Sequence, residues 1–127
     1  MEIREIVPKG VAAAEGNYAH GISVPPNARL IFISGQIPTL QDGSVPKGIE
    51  AQASAVWENI GKILVAEGLG FANVAKVTTY LSNRENADVN GQVRRKYLGK
   101  HKPALTVIIS EIVDPNWLLE IEAIAIG

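Results

Sequence analysis

A chain of 127 residues that is 46% hydrophobic and 20% charged fits one globular domain, residues 1–127, and excludes a disordered chain. A net charge of −1 supplies no electrostatic drive toward nucleic acid or an anionic membrane. With no cysteine, the chain holds no disulfide, no thiolate nucleophile and no Cys-ligated metal.

In chain order, IREIV (3–7) reads as a short first strand, and residues 8–21 as a loop leading into Tyr18. ISV (22–24) and RLIFISGQIP (29–38) read as two strands, and PPNA (25–28) between them predicts a hairpin, because Pro fixes φ and Asn tolerates turn geometry. TLQDGSVPKG (39–48) is turn chemistry throughout. The period then changes. Ile49, Ala53, Val56, Ile60, Ile63 and Leu64 recur on one face of a helix from about 48 to 67, ended by Gly68 and Gly70. VAKVTTYLS (74–82) is a β-branched strand. Asn83 suits the N-cap of a second helix over about 84–99, with Val89, Val93 and Tyr97 four apart. HKP (101–103) breaks that helix, ALTVIISEI (104–112) is a strand, VDPN (113–116) a turn and WLLEIEAIAI (117–126) the last strand.

The order β-β-β-α-β-α-β-β predicts an α+β sandwich: a mixed sheet with two helices packed on one face. No helix remains for the other face, so self-association is expected to cover it. The N-terminal MEIREIVPKG lacks the layout of a signal peptide, and no run reaches the ~18–20 apolar residues of a membrane span. The expected location is the cytoplasm. In the last strand Glu120 and Glu122 stand two apart, so both fall on one face. An apolar strand rarely carries charge without a partner, so these carboxylates face water, a basic residue, another subunit or a substrate. His20 and His101 are isolated histidines and predict no metal site.

Three stretches recur together in one known family: ISGQIP (33–38), KPALTVI (102–108) and LLEIEAIAI (118–126). With GNYAHG (16–21) and ADVNGQVRRKYL (87–98), they resemble the Rid family, the YjgF-like group of reactive-intermediate deaminases, over nearly the whole chain. The resemblance implies a chorismate-mutase-like fold, a homotrimer, and small-molecule sites in clefts between subunits, lined in part by the last strand. It implies hydrolysis of enamines and imines to a carbonyl compound and ammonia, with no metal or organic cofactor. Carried over position by position, it makes Glu120 the catalytic carboxylate, Tyr18 the aromatic hydroxyl, Asn90 the helix amide, and Ser34 and Gly35 the loop that presents backbone groups. Each has a plainer alternative: Glu120 a structural carboxylate, Tyr18 a loop anchor, Asn90 a solvated amide or cap. Glu122 is read as structural. Trp117 is a candidate cleft or interface aromatic, and Thr106 and Val107 line the site beside position 105. Thr106 has no His base and is not a nucleophile.

One departure stands out. Deaminating members carry an Arg after Pro-Ala, where this chain has Leu105 after Pro103 and Ala104. A planar guanidinium grips a substrate carboxylate bidentately, and Leu cannot. Its loss costs roughly 1.5–3 kcal/mol per charged hydrogen bond. Leu105 is therefore expected as pocket wall or strand core. Lys102, Arg94, Arg95, Arg29 and Arg84 are the other cations in question; solvated surface charge is their expected state, with Lys102 pointing to solvent. Three functions follow: an enzyme acting on a C=N substrate not held by the usual Arg, a small-molecule-binding or regulatory trimer without turnover, and, remotely, a ribonuclease or translation inhibitor, which seven aromatics and a net charge of −1 do not favour.

Overall fold

The computed structural model describes residues 2–127. Six strands and two α-helices run in the order β1 (Arg4–Ile6), β2 (Gly21–Ser23), β3 (Leu30–Gln36), α1 (Ile49–Ala66), β4 (Val74–Leu81), α2 (Ala87–Leu98), β5 (Ala104–Ile109) and β6 (Leu119–Ile126). The main sheet is β3-β6-β4-β5. β6 lies antiparallel to both β3 and β4, while β4 and β5 are parallel, joined by the α2 crossover. This is the expected α+β architecture with a mixed sheet.

The core lies between the helices and one sheet face. α1 buries Ala53, Val56, Trp57, Ile60 and Leu64, and α2 buries Val93 and Leu98. They meet Val74, Val77 and Leu81 of β4 and Leu119, Ile121, Ala123 and Ala125 of β6. Every second residue of a strand thus goes into the core, as the pleat requires. Trp57, which stands beside the expected stripe of α1, is fully buried and stacks on Tyr97 of α2 with ring centroids 6.3 Å apart. α1 ends as its glycine predicts. Gly68 has φ of 72°, and the N–H groups of Gly68 and Leu69 donate to the carbonyls of Val65 and Leu64 at 2.9 Å each.

Two local expectations are corrected. PPNA does turn the chain, with Ala28 N donating to Pro25 O at 3.1 Å, but β2 and β3 do not form a hairpin. β2 pairs with β1 in a separate two-stranded sheet, and β3 pairs with β6. The long-range register wins because Ile31 and Ile33 meet Ala125 and Ala123 across β6, whereas the three-residue β2 offers one apolar side chain, Ile22. Asn83 caps a 3₁₀ turn, Arg84–Asn86, by accepting from Glu85 N at 2.8 Å; α2 itself begins at Ala87.

One buried polar side chain fixes the approach to β6. Gln52, on α1, is 4% exposed. Its amide nitrogen donates to Pro46 O at 3.0 Å and Asn116 O at 3.1 Å, and its oxygen accepts from Leu118 N at 2.8 Å. Both loops flanking the sheet mouth are therefore tied to α1. Gln52→Leu strands the Leu118 N–H and two carbonyls, so the urea midpoint should fall by the equivalent of about 1–3 kcal/mol.

Candidate functional site

Strand parity decides which predicted residues can meet. On β6 the odd residues enter the core and Glu120, Glu122 and Ile124 face the open side, so the two carboxylates do share a face. β4 places Lys76, Thr78 and Tyr80 on that side, with Thr78 opposite Glu122 and Tyr80 opposite Glu120. β5 adds Thr106, opposite Thr78.

β3 completes the surface with a bulge. Ile33 pairs with Ala123, but the next pair is Gln36 with Ile121, so Ser34 and Gly35 together oppose Glu122. The Glu120 side chain lies directly over Gly35. A Cβ at that position would overlap Oε2 and sit 2.9 Å from the carboxyl carbon. A side chain at position 35 would therefore displace the Glu120 carboxylate from this place. The bulge brings Glu120, Ser34 and Gly35 together, as the resemblance implies.

Glu122 is tied down: Tyr80 Oη donates to its Oε1 at 2.8 Å, a diagonal pair across the strands. That bond, then lost hydration, then the charges of Glu122 and Glu120, hold the Tyr80 phenol above its ordinary value of 10.0. Lys76 Nζ donates to Thr106 Oγ1 at 2.8 Å. Phe32, Ser34, Lys76, Thr78 and Glu122 line a shallow hollow of about 370 Å³ here. Tyr80 and Lys76 were not singled out in the sequence, although the alternation in VAKVTTYL holds the signal.

The remaining predicted residues lie elsewhere. Leu105 is in register with buried Val77 and packs against the core on the helix side. Leu105 and Thr106 therefore face opposite ways, and positions 105–107 of a single chain do not share one face. Val107 reaches a cavity of about 410 Å³ shared with Asn90, Gly91, Arg94 and Arg95 of α2. Asn90 is 2% exposed, which overturns its reading as a solvated amide, and its Oδ1 has no partner. Tyr18 lies beside the start of β5: Ala19 N donates to Pro103 O at 2.9 Å, and the Tyr18 ring meets His20 edge to face. Trp117 is half-buried in the turn before β6, where its N–H donates to Asp114 O at 3.0 Å.

The cations are also sorted. Lys102 is exposed, as expected, and Arg29 pairs with Glu67 at 2.7 Å. Arg94 is not a solvated charge. It is 8% exposed, its Nε has no hydrogen-bond partner, and burial pushes its guanidinium below the usual value, with Arg95 adding repulsion. Helical spacing holds the signal, because Arg94 stands four residues from Asn90 and four from Leu98, both buried, while Arg95 falls off that stripe. No group of three or more potential metal ligands occurs among the described residues.

A mixed sheet with two helices is the α+β architecture of the YjgF/L-PSP fold. A family model described as Endoribonuclease L-PSP matches residues 9–127. The chain belongs to this Rid (YjgF-like) family. It is 37% identical over 112 residues to a RutC family protein of Pyrococcus horikoshii, covering 87% of this chain and 86% of that one. It is 31% identical over 127 residues to the 2-iminobutanoate/2-iminopropanoate deaminase of Rattus norvegicus, covering 98% and 90%. Among solved structures, the Rid family protein YyfB of Yersinia pestis gives a TM-score of 0.87 at 26% identity over 100% of both chains. TdcF of Escherichia coli with bound serine gives 0.74 at 28% identity over 98% of each.

The Tyr80–Glu122 bond gives a direct test of the open face. Glu122→Gln removes the charge and weakens the acceptor, so the Tyr80 phenol should titrate lower. Ultraviolet pH titration of the three tyrosines reads this, and an unchanged profile would show that the bond does not form in solution.

Proposed function

We propose that the chain hydrolyses a reactive enamine or imine to a carbonyl compound and ammonia, in a cleft between subunits of a cytoplasmic homotrimer. The observation that carries this reading is Glu120. Its carboxylate lies over the Gly35 backbone on an uncovered sheet face, while its neighbour Glu122 is held by Tyr80. No helix of the described residues is long and apolar enough to cross a membrane.

Two features support a cleft between copies. Glu120, Ser34 and Gly35 lie on the open face, whereas Asn90 and Val107 line a cavity on the helix side. One chain alone cannot join them. The open face also exposes Phe32 at 73%, Leu30 at 49% and Ile108 at 43%. Apolar area of this kind is covered in a symmetric assembly.

In the proposed reaction the enamine first tautomerises to the imine. Glu120 takes a proton from water as its oxygen bonds to the C=N carbon. The π pair moves to nitrogen, which takes that proton to give a carbinolamine; the carbinol O–H proton then passes through Glu120 to nitrogen, the C–N bond breaks and ammonia leaves as the carbonyl forms. Tyr18, Asn90 and the Ser34–Gly35 backbone hold the substrate, with Val107 and Trp117 as apolar walls; Thr106 joins the open face and Leu105 stays in the core. Water and a carboxylate suffice for this, so the proposal needs no cofactor. The name of the rat relative supports the C=N chemistry, and serine bound to TdcF supports a small ligand of amino-acid size.

Leu105 favours a second reading, ligand binding without turnover, because the usual carboxylate anchor is absent. A ribonuclease reading has the family model's description behind it, but a net charge of −1 gives no overall electrostatic attraction to nucleic acid.

The test is ammonia release from imines generated in place by an amino acid oxidase. Wild type should accelerate it, and Glu120→Gln should lower kcat about 10²–10⁴-fold. Saturable binding of a 2-oxo acid with no ammonia released above background would replace the hydrolase by the binding trimer.

A further inference from the structure

We propose that Arg94 is the anion anchor of this cleft, holding from α2 the carboxylate that Leu105 cannot hold from β5. The substrate is then an imine or enamine with a carboxylate beside its nitrogen-bearing carbon. This rests on the hydrolase reading for its chemistry, but not for the binding site itself.

Arg94 is 8% exposed as a residue and its Nε is buried, so part of its guanidinium has lost hydration, and a dehydrated charge calls for a partner. Arg94 Nε has no acceptor, and the ion pair found among the described residues is Arg29 with Glu67, at the other side of the core. Asp88 lines the same cavity but lies beyond ion-pair distance of either arginine. An acceptor from outside the chain is what this cation lacks.

The surroundings describe that acceptor. The cavity of about 410 Å³ suits a small ligand and is lined by Asn90, Arg94, Arg95 and Val107. The guanidinium tips of both arginines lie close to Gly91, with a Cβ placed there 3.1 Å from Arg95 Nη1 and 3.7 Å from Arg94 Nη2. Arg94 lies one turn beyond Asn90, and residues four apart on a helix are neighbours. The Asn90 amide oxygen is also buried without a partner and needs a donor. A ligand that offers a carboxylate to Arg94 and an N–H to Asn90 satisfies both orphaned groups. A 2-imino acid has that pattern. A neutral imine would fill only half of it and leave the guanidinium unpaired.

A second copy of the chain could bring a carboxylate to Arg94 instead, and the test separates the two sources. Calorimetry measures binding of 2-oxobutanoate, which carries the carboxylate, and of butan-2-one, which does not. Wild type should prefer 2-oxobutanoate at least tenfold. Arg94→Gln should bind it about 10- to 100-fold more weakly with butan-2-one unchanged, Arg94→Lys should fall between, and Lys62→Gln on the outer side of α1 should match wild type. In wild type the Arg94 Nε–H NMR signal should move with 2-oxobutanoate and not with butan-2-one, which decides the matter even if Arg94→Gln does not fold. Equal affinity in Arg94→Gln, no preference for the carboxylate, or an unmoved Nε–H signal overturns the proposal. So does a variant that loses its assembly while keeping carboxylate affinity, because a neighbouring chain then pairs Arg94. Ammonia release is followed on the same proteins. Arg94-dependent binding without turnover would sink the hydrolase reading and leave the anchor standing; turnover indifferent to Arg94 would do the reverse.

Discussion

β6 is held by a ladder on each side, with β3 and β4, and its period-two alternation fixes both halves of the molecule. The same register that sends Leu119, Ile121, Ala123 and Ala125 under the helices sends Glu120 and Glu122 to the uncovered face. A slip of one residue would drive two carboxylates into the core and four apolar side chains out of it. Burying an unpaired carboxylate is costly enough to forbid this. The charges therefore help specify the fold by being unable to go elsewhere. Where the β3–β6 ladder yields, at the Ser34–Gly35 bulge, it yields under Glu120. A side chain with a bulkier residue beneath it would be pushed off this surface.

The same parity divides the functional residues. Glu120 points one way from the sheet, and Leu105 and Val107 the other, so no rearrangement of side chains joins them within a chain. Two partly built half-sites on opposite faces make sense when each is completed by a neighbour. One half supplies a carboxylate over a backbone bulge. The other supplies a buried amide and an arginine whose Nε is buried without a partner. On the proposed reading, assembly brings an acid–base group of one chain to a ligand held by another.

Much of the fold was legible because periodicity was strong. The stripe on α1, its glycine stop and the β-branched β4 all lie within a residue or two of where the sequence puts them. The failures have specific causes. The PPNA turn reads as a hairpin because a turn signal is local, whereas the choice of partner for β3 depends on Ala123 and Ala125, some ninety residues away. Asn83 reads as an α-helical cap because a sequence does not separate a 3₁₀ turn from the first turn of a helix. Thr106 groups with Leu105 and Val107 because the motif is contiguous in sequence; the pleat turns it to the other face. Arg94 and Arg95 look alike in a run of three basic residues, although Arg94 alone shares a helical stripe with Asn90 and Leu98, which the structure buries.

On the proposed reading, in which the anion anchor moves from strand to helix, the consequences are consistent. Leu105, once no guanidinium occupies that position, packs against the core and extends it. A guanidinium on α2 then sits beside Asn90 rather than across from it, so both recognition groups ride on one rigid helix. Arg95 raises the positive potential without being buried itself. Desolvation makes Arg94 a costly residue in an empty site and a strong one in a filled site, because the low local dielectric that penalises the bare charge also strengthens its pairing. A surface arginine at the same position would be hydrated whether or not a ligand came. The burial of Arg94 is thus what would turn a general attraction for anions into discrimination against ligands that lack one.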